Sequence, residues 1–209
     1  MIEALRASRN IFLVDDDLAV CHALSVFLEG SGYYVKTYHS AETFLDDAEC
    51  TMQGIVLLDI RMAKMSGLEM QTELTKRGVI LPIIFITGHG DVEMSVKAIK
   101  NGAIDFLEKP FSNEYLLKSV YDAFSVADKS IKNRRRAAEI GKRHATLSER
   151  ELEVMQHVVA GMSNKDIAEL LGLSSRTIEV HRHNLMKKMG AESLVDLVRK
   201  YDSYNQAGK

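Results

Sequence analysis

Cys21 and Cys50 are the only two thiols in this 209-residue chain. They stand apart, without the CxxC spacing of a metal knuckle or the repeated spacing of a disulfide framework, and read as reduced residues packed as small hydrophobes. Long apolar runs are missing too. None approaches the roughly 20 residues that a bilayer span requires, so no membrane segment is expected. The stretch 1–10 carries Glu3, Arg6 and Arg9 where a secretory leader would have an apolar core and a small-residue cleavage site. A cytoplasmic protein is expected.

What is present is an ordinary globular composition, 46% hydrophobic and 27% charged, in a length that suits one medium domain and a smaller one. The net charge of -2 conceals an asymmetry. Residues 1–126 hold 11 Lys and Arg against 18 Asp and Glu, a formal -7, whereas residues 127–209 hold 16 against 11, a formal +5. An acidic half suits a cation and a basic half suits nucleic acid.

Residues 11–14 (IFLV), 55–58 (IVLL) and 83–86 (IIFI) are short continuous apolar runs, the pattern of parallel strands covered on both faces. Helical periodicity fills the gaps, at Ala19 to Glu29 and Leu68 to Lys76, and a last helix is expected over Asn113 to Ala127. With weaker strands at Tyr33 to Thr37 and Ile104 to Leu107, five β-α repeats predict a doubly wound α/β sheet over residues 1–127. Residues 128–144 (DKSIKNRRRAAEIGKRH) turn strongly polar and read as a charged linker, an exposed helix or a hinge, with Arg134 to Arg136 taken as a solvated face. Residues 145–209 show no strand signal. Four helical stretches follow, punctuated by Ser148 with Glu151, by Gly161-Met162-Ser163 and by Gly172-Leu173-Ser174, which predicts an all-α helix-turn-helix unit.

In an open parallel sheet, ligands bind where the loops leave the carboxyl ends of the strands. Asp15, Asp16 and Asp17 follow the first strand, Asp59 ends the third, Thr87 ends the fourth, and Lys109 follows the fifth. Converging carboxylates repel one another and recruit a hard divalent cation; oxygen-only ligation favours Mg²⁺. Such a site can hold a phosphoryl group for attack by a carboxylate, with Lys109 adding positive charge. Taken singly, each residue has a plainer reading: Asp17 as a helix N-cap, Asp59 as a loop acid, Thr87 as a strand-end hydroxyl and Phe106 as a core ring. The combination is more specific than its parts.

Through VDDD at 14–17, LLDIRM at 57–62, ITGHGD at 86–91 and EKPF at 108–111, the sequence resembles two-component response regulators of the FixJ/NarL type across nearly its whole length. The resemblance implies a flavodoxin-like five-stranded receiver domain with Asp59 as phosphoacceptor. It implies that Asp15, Asp16, Asp59 and the backbone carbonyl of Arg61 hold Mg²⁺, that Lys109 contacts the phosphoryl oxygens, and that the Lys109-Pro110 bond is cis. Thr87 and Phe106 become a coupled switch acting on the face of the fourth helix, fifth strand and fifth helix. Arg61 and His89 flank the acceptor and would influence hydrolytic water. One position departs from the pattern: Ala63 stands where proline is usual.

On a helical wheel centred on Ile178, Leu185 and Met189 fall within about 20°, leaving Arg176, Glu179, Val180, His183 and Lys187 on the opposite side. Residues 163–190 resemble the LuxR-type helix-turn-helix throughout. That resemblance implies base contacts from Glu179, Val180 and His183, and phosphate contacts from Lys165, Arg176, Thr177 and Lys187, on double-stranded DNA. His181 and His183, two apart on a helix, diverge by about 200° and are not a metal pair.

The reading that follows is a transcription regulator, not an enzyme. The resemblance implies that a sensor histidine kinase would phosphorylate it, and a phosphorylation-dependent homodimer working with RNA polymerase is expected. A rival, an enzyme turning over through an aspartyl phosphate, needs a second acid beside the nucleophile; position 61 is arginine, and no acid follows Asp59 until Glu69. A second rival is a constitutive DNA-binding protein whose receiver is controlled by a protein partner and not by phosphate; the intact acceptor residues argue against it.

Overall fold

The computed structural model describes residues 9–88 and 92–207 and divides into two compact units, Met1–Lys129 and Ser130–Lys209. The first is a five-stranded parallel sheet in the order β2-β1-β3-β4-β5, with β1 at Asn10–Val14, β2 at Tyr34–Tyr38, β3 at Ile55–Asp59, β4 at Ile83–Thr87 and β5 at Asp105–Glu108. Helices α1 (Leu18–Gly30), α2 (Ala41–Asp47), α3 (Gly67–Lys76), α4 (Val92–Lys100) and α5 (Asn113–His144) connect and follow the strands. This is the doubly wound α/β architecture expected from the apolar runs.

Those runs are continuous because both sheet faces are covered. Phe12, Val14, Val56, Leu58 and Phe85 point to one side and bury Phe44, Met70, Leu74 and Ala98 of α2, α3 and α4. Ile11, Leu13, Ile55, Leu57, Ile84 and Ile86 point to the other, against Cys21 and Leu28 of α1 and Leu116, Val120 and Phe124 of α5. Burying each such side chain contributes about 1.5–3 kcal/mol, and together they fix the strand ends on which the functional residues sit. Asp17 caps α1, its carboxylate accepting from the N–H groups of Ala19 and Val20. Gly67 opens α3 so close behind β3 that a Cβ there would overlap the carbonyl oxygen of Asp59.

The second unit contains α6 (Glu149–Val159), α7 (Asn164–Leu171), α8 (Ser175–Met189) and α9 (Leu194–Ala207). Ser148 and Ser163 form capping boxes with Glu151 and Asp166, and Gly172 ends α7 with a left-handed backbone (φ 66°) that suits glycine. Ile178, Leu185 and Met189 of α8 are all fully buried, as the wheel requires. No helix among the described residues is long and apolar enough to cross a membrane.

One expected boundary is corrected. The helix starting at Asn113 does not stop at Ala127 but continues to His144. Arg134, Arg135 and Arg136 are exposed on it, yet the segment is not solvated along its whole length. Ile140 is 3% exposed and belongs to the second core with Leu147, Val154, Leu185 and Leu197. His144 stacks on Tyr204 at 4.1 Å, and Arg143 donates to the Met189 carbonyl at 3.4 Å. The polar composition of 128–144 hid this because one isoleucine per several turns leaves no periodic stripe.

A second tie is electrostatic. Glu151 is buried and accepts from Lys188 Nζ at 2.6 Å and from the Ser148 N–H at 2.8 Å, joining α6 to the end of α8. Burial works to push its carboxyl up, but the bonds from Lys188 and Ser148 outweigh this and hold it below the ordinary glutamate value.

Ile140→Ala should lower the urea stability of the second unit by about 2–4 kcal/mol, as core truncation does. Arg135→Ala, on the exposed face, should shift it by less than about 0.5 kcal/mol. A carboxyl depressed in the folded state adds stability above its unfolded pKa and loses it as pH falls through the folded value. Glu151→Gln should therefore cost about 1–3 kcal/mol near neutrality. Its difference from wild type should shrink below roughly pH 4.5, measured as urea midpoints across pH.

Candidate functional site

β1 and β3 are neighbours whose onward connections leave in opposite directions, and the crevice this opens lies at their carboxyl ends. Asp15 directly follows β1, Asp59 ends β3 and Thr87 ends β4; all three are buried. Lys109 follows β5, its peptide bond to Pro110 is cis, and its N–H donates to the Thr87 carbonyl at 2.8 Å. The Lys109 ammonium lies 3.0 Å from Asp15 Oδ2 and 3.5 Å from Asp59 Oδ1. Three strand ends thus meet on one positive charge.

Each carboxylate also rests on a backbone amide. The Asp17 N–H donates to Asp15 Oδ1 at 2.9 Å, and the Arg61 N–H to Asp59 Oδ2 at 2.7 Å. Asp16 is exposed, and its Oδ2 accepts from the Ala63 N–H at 3.1 Å. Burial pushes the Asp59 carboxyl above its ordinary value and the negative charge of Asp15 pushes it further; Lys109 and the Arg61 N–H offset only part of this. Two buried carboxylates thus share one ammonium. Among the described residues, no three His, Cys, Asp or Glu side chains converge closely enough to enclose a metal ion as they stand.

Phe106 is half-buried and packs against the core on the α3 and α4 side of the sheet. The Arg61 side chain is exposed, while its amide holds Asp59. His89 lies outside the described residues. Cys21 carries more than its expected packing role: its thiol donates to the Asp15 carbonyl at 3.3 Å, and burial, then the Asp15 charge, raises its pKa to about 11. It is a neutral support beneath the acidic pair.

In the second unit, α7, the turn at Gly172 and α8 form the helix-turn-helix. Arg176, Glu179, His183 and Lys187 are exposed on α8, Val180 is 49% exposed beside them, and Lys165 is exposed on α7. Arg176 pairs with Glu179 at 3.1 Å, a contact exposed enough to exchange for a phosphate. The Thr177 N–H donates to the capping Ser174 Oγ at 3.0 Å, and the two hydroxyls share a 2.8 Å hydrogen bond. Residues that sequence reasoning passed over set the angle of α8: Arg182 donates to Asn164 Oδ1 of α7 at 2.9 Å, and Lys188 is held by Glu151. No local spacing signals these pairs, 18 and 37 positions apart.

Comparison with known proteins agrees with both halves. Residues 11–121 match the response regulator receiver domain, and residues 145–201 match the bacterial regulatory proteins of the luxR family. The chain is 44% identical over 189 residues to the response regulator protein TodT of Pseudomonas putida, covering 90% of this chain and 83% of that one. It is 43% identical over 192 residues to the transcriptional regulatory protein FixJ of Azorhizobium caulinodans, covering 92% and 91%. Among solved structures, the response regulator StyR aligns with a TM-score of 0.80 at 38% identity over 94% of this chain and 99% of that one. Full-length FixJ from B. japonicum aligns with a TM-score of 0.59 at 39% identity, covering 96% and 98%. An α/β unit with acidic strand ends, followed by an exposed recognition helix, thus places the chain among the two-component response regulators of the FixJ/NarL type, transcription regulators with a receiver domain and a LuxR-type DNA-binding domain.

Proposed function

We propose that Asp59 is the phosphoacceptor of this regulator and that its phosphorylation controls DNA binding by α8. The observation that carries the reading is the Lys109 ammonium shared between Asp15 and Asp59. The histidine kinase that a receiver domain implies would present a phosphohistidine. An Asp59 carboxylate oxygen attacks the phosphorus, the O–P bond forms as the N–P bond breaks, and the imidazole leaves with the electron pair. Lys109 meets the charge on the phosphoryl oxygens. Thr87, at the neighbouring strand end, is the donor that would follow them.

Mg²⁺ fits the chemistry of this donor set. Asp15, Asp16, Asp59 and the Arg61 carbonyl offer oxygen alone, and the single ammonium of Lys109 is divided between two of these carboxylates. When bound, the ion would neutralise carboxylate and phosphoryl charge and favour in-line transfer. The regulator would act in the cytoplasm.

With Thr87 drawn toward the phosphoryl group, half-buried Phe106 turns further inward. The face of α4, β5 and α5 is reshaped into a homodimer surface. Val96 and Ile99 of α4 and Tyr115 of α5 are large exposed apolar residues that suit such a surface. A two-fold dimer would read paired half-sites and work with RNA polymerase. Glu179, Val180 and His183 would face bases; Lys165, Arg176, Thr177 and Lys187 would hold phosphates.

With a small phosphodonor and Mg²⁺, intact-mass spectrometry should show the wild-type chain gaining one phosphoryl group and Asp59→Asn gaining none; equal labelling of both would refute the assignment. Lys187→Ala should weaken DNA binding across sequences and reduce the salt slope by about 1, whereas Val180→Ala or His183→Ala should alter sequence preference. Binding isotherms against salt and a selection from random duplexes check the two outcomes.

A further inference from the structure

Asp16 is the exposed member of the acidic set, and among the described residues a single hydrogen bond, from the Ala63 N–H to Oδ2 at 3.1 Å, holds its carboxylate. No hydrogen bond reaches Oδ1 among the described residues. The donor is a backbone N–H, a group that proline at position 63 would not carry. The contact therefore depends on which residue stands at position 63.

The contact repeats a local design. Asp15 rests on the Asp17 amide and Asp59 on the Arg61 amide, each through one oxygen, with the other oxygen turned to the shared Lys109 ammonium. Asp16 rests on Ala63 in the same manner, and the two loop amides, at 61 and 63, come from one short segment after β3. Without its amide, the exposed Asp16 side chain would be left to its solvent rotamers and would have to be ordered when a cation bound. Hydrogen bonds that orient a ligating carboxylate are typically worth 10–100-fold in metal affinity.

We propose that the Ala63 N–H is a positioning group for Mg²⁺, holding Asp16 on the acceptor-loop side of the site so that its second oxygen is available as a ligand. The inference rests on the reading of the acidic set as a Mg²⁺ site. Residue 63 would then set the Mg²⁺ affinity of the unphosphorylated receiver, and through it the fraction of receiver ready for phosphoryl transfer at a given Mg²⁺ concentration.

The test is calorimetric titration of the unphosphorylated full chain with Mg²⁺. Ala63→Pro should weaken binding about tenfold, the lower end of the usual range because Asp16 is exposed. Ala63→Gly, which keeps the N–H, should stay within about twofold of wild type, the scatter of uncoupled substitutions. In an Asp16→Asn background, Ala63→Pro should have no further effect. Unchanged or tighter binding by Ala63→Pro, or an equal loss with and without Asp16, overturns the proposal. Wild-type chain that takes up no Mg²⁺ overturns the metal-site reading together with it, whereas wild-type uptake with an inert Ala63→Pro overturns this inference alone. Amide hydrogen exchange supplies a readout that does not need the proline variant to fold: Ala63 should exchange faster in Asp16→Ala than in wild type, and equal rates overturn the tether.

Discussion

Two buried carboxylates, Asp15 and Asp59, face a single ammonium, that of Lys109, at 3.0 and 3.5 Å. Charges about 4 Å apart near a protein surface interact by about 4 kcal/mol, so the lysine attracts each acid strongly while its single charge is divided between two. Burial first, and then the Asp15 charge, keep the Asp59 carboxyl above its ordinary value despite the lysine. Such a site calls for a cation, and a transferred phosphoryl group, which adds negative charge, would deepen that need; both belong to the proposed chemistry. The sheet's role is to make this sharing unavoidable: β1, β3 and β5 are held by apolar packing on both faces, and their ends cannot drift apart.

Much of this arrangement was legible from residue order alone. Apolar runs bounded by Asp, Thr and Lys-Pro mark strand ends, and the chirality of crossovers brings those ends to one edge, so Asp15, Asp59, Thr87 and Lys109 could be placed together before any contact was known. The buried stripe of α8 was legible for a similar reason, since 3.6-residue periodicity places Ile178, Leu185 and Met189 on one side. The illegible parts are contacts without period. Ala63 reaches Asp16 through a backbone amide 47 positions away, a bond that no side-chain pattern encodes. Lys188 looks like one of two equivalent lysines beside Lys187, yet Glu151 makes it structural. Ile140 reads as part of a polar linker until its neighbours in the second core are seen.

The two units also solve different electrostatic problems. In the receiver, acidic groups are concentrated and partly buried, so charge is costly and responsive. On α8, Arg176, Glu179, His183 and Lys187 stand in water, where the Arg176–Glu179 pair is weak and readily exchanged for phosphate oxygens. Concentrated charge in one unit and solvated charge in the other is the physical division of labour between a switch and a reader.

The central claim is that charge added at Asp59 changes what α8 does. It is tested most directly by measuring the affinity of the full chain for its operator duplex, selected from random sequence, at fixed salt with and without phosphodonor and Mg²⁺, with oligomeric mass followed in parallel. The account predicts that phosphorylation raises both affinity and dimer fraction in wild type and changes neither in Asp59→Asn. Phosphorylated wild type with unchanged affinity and unchanged mass would contradict it.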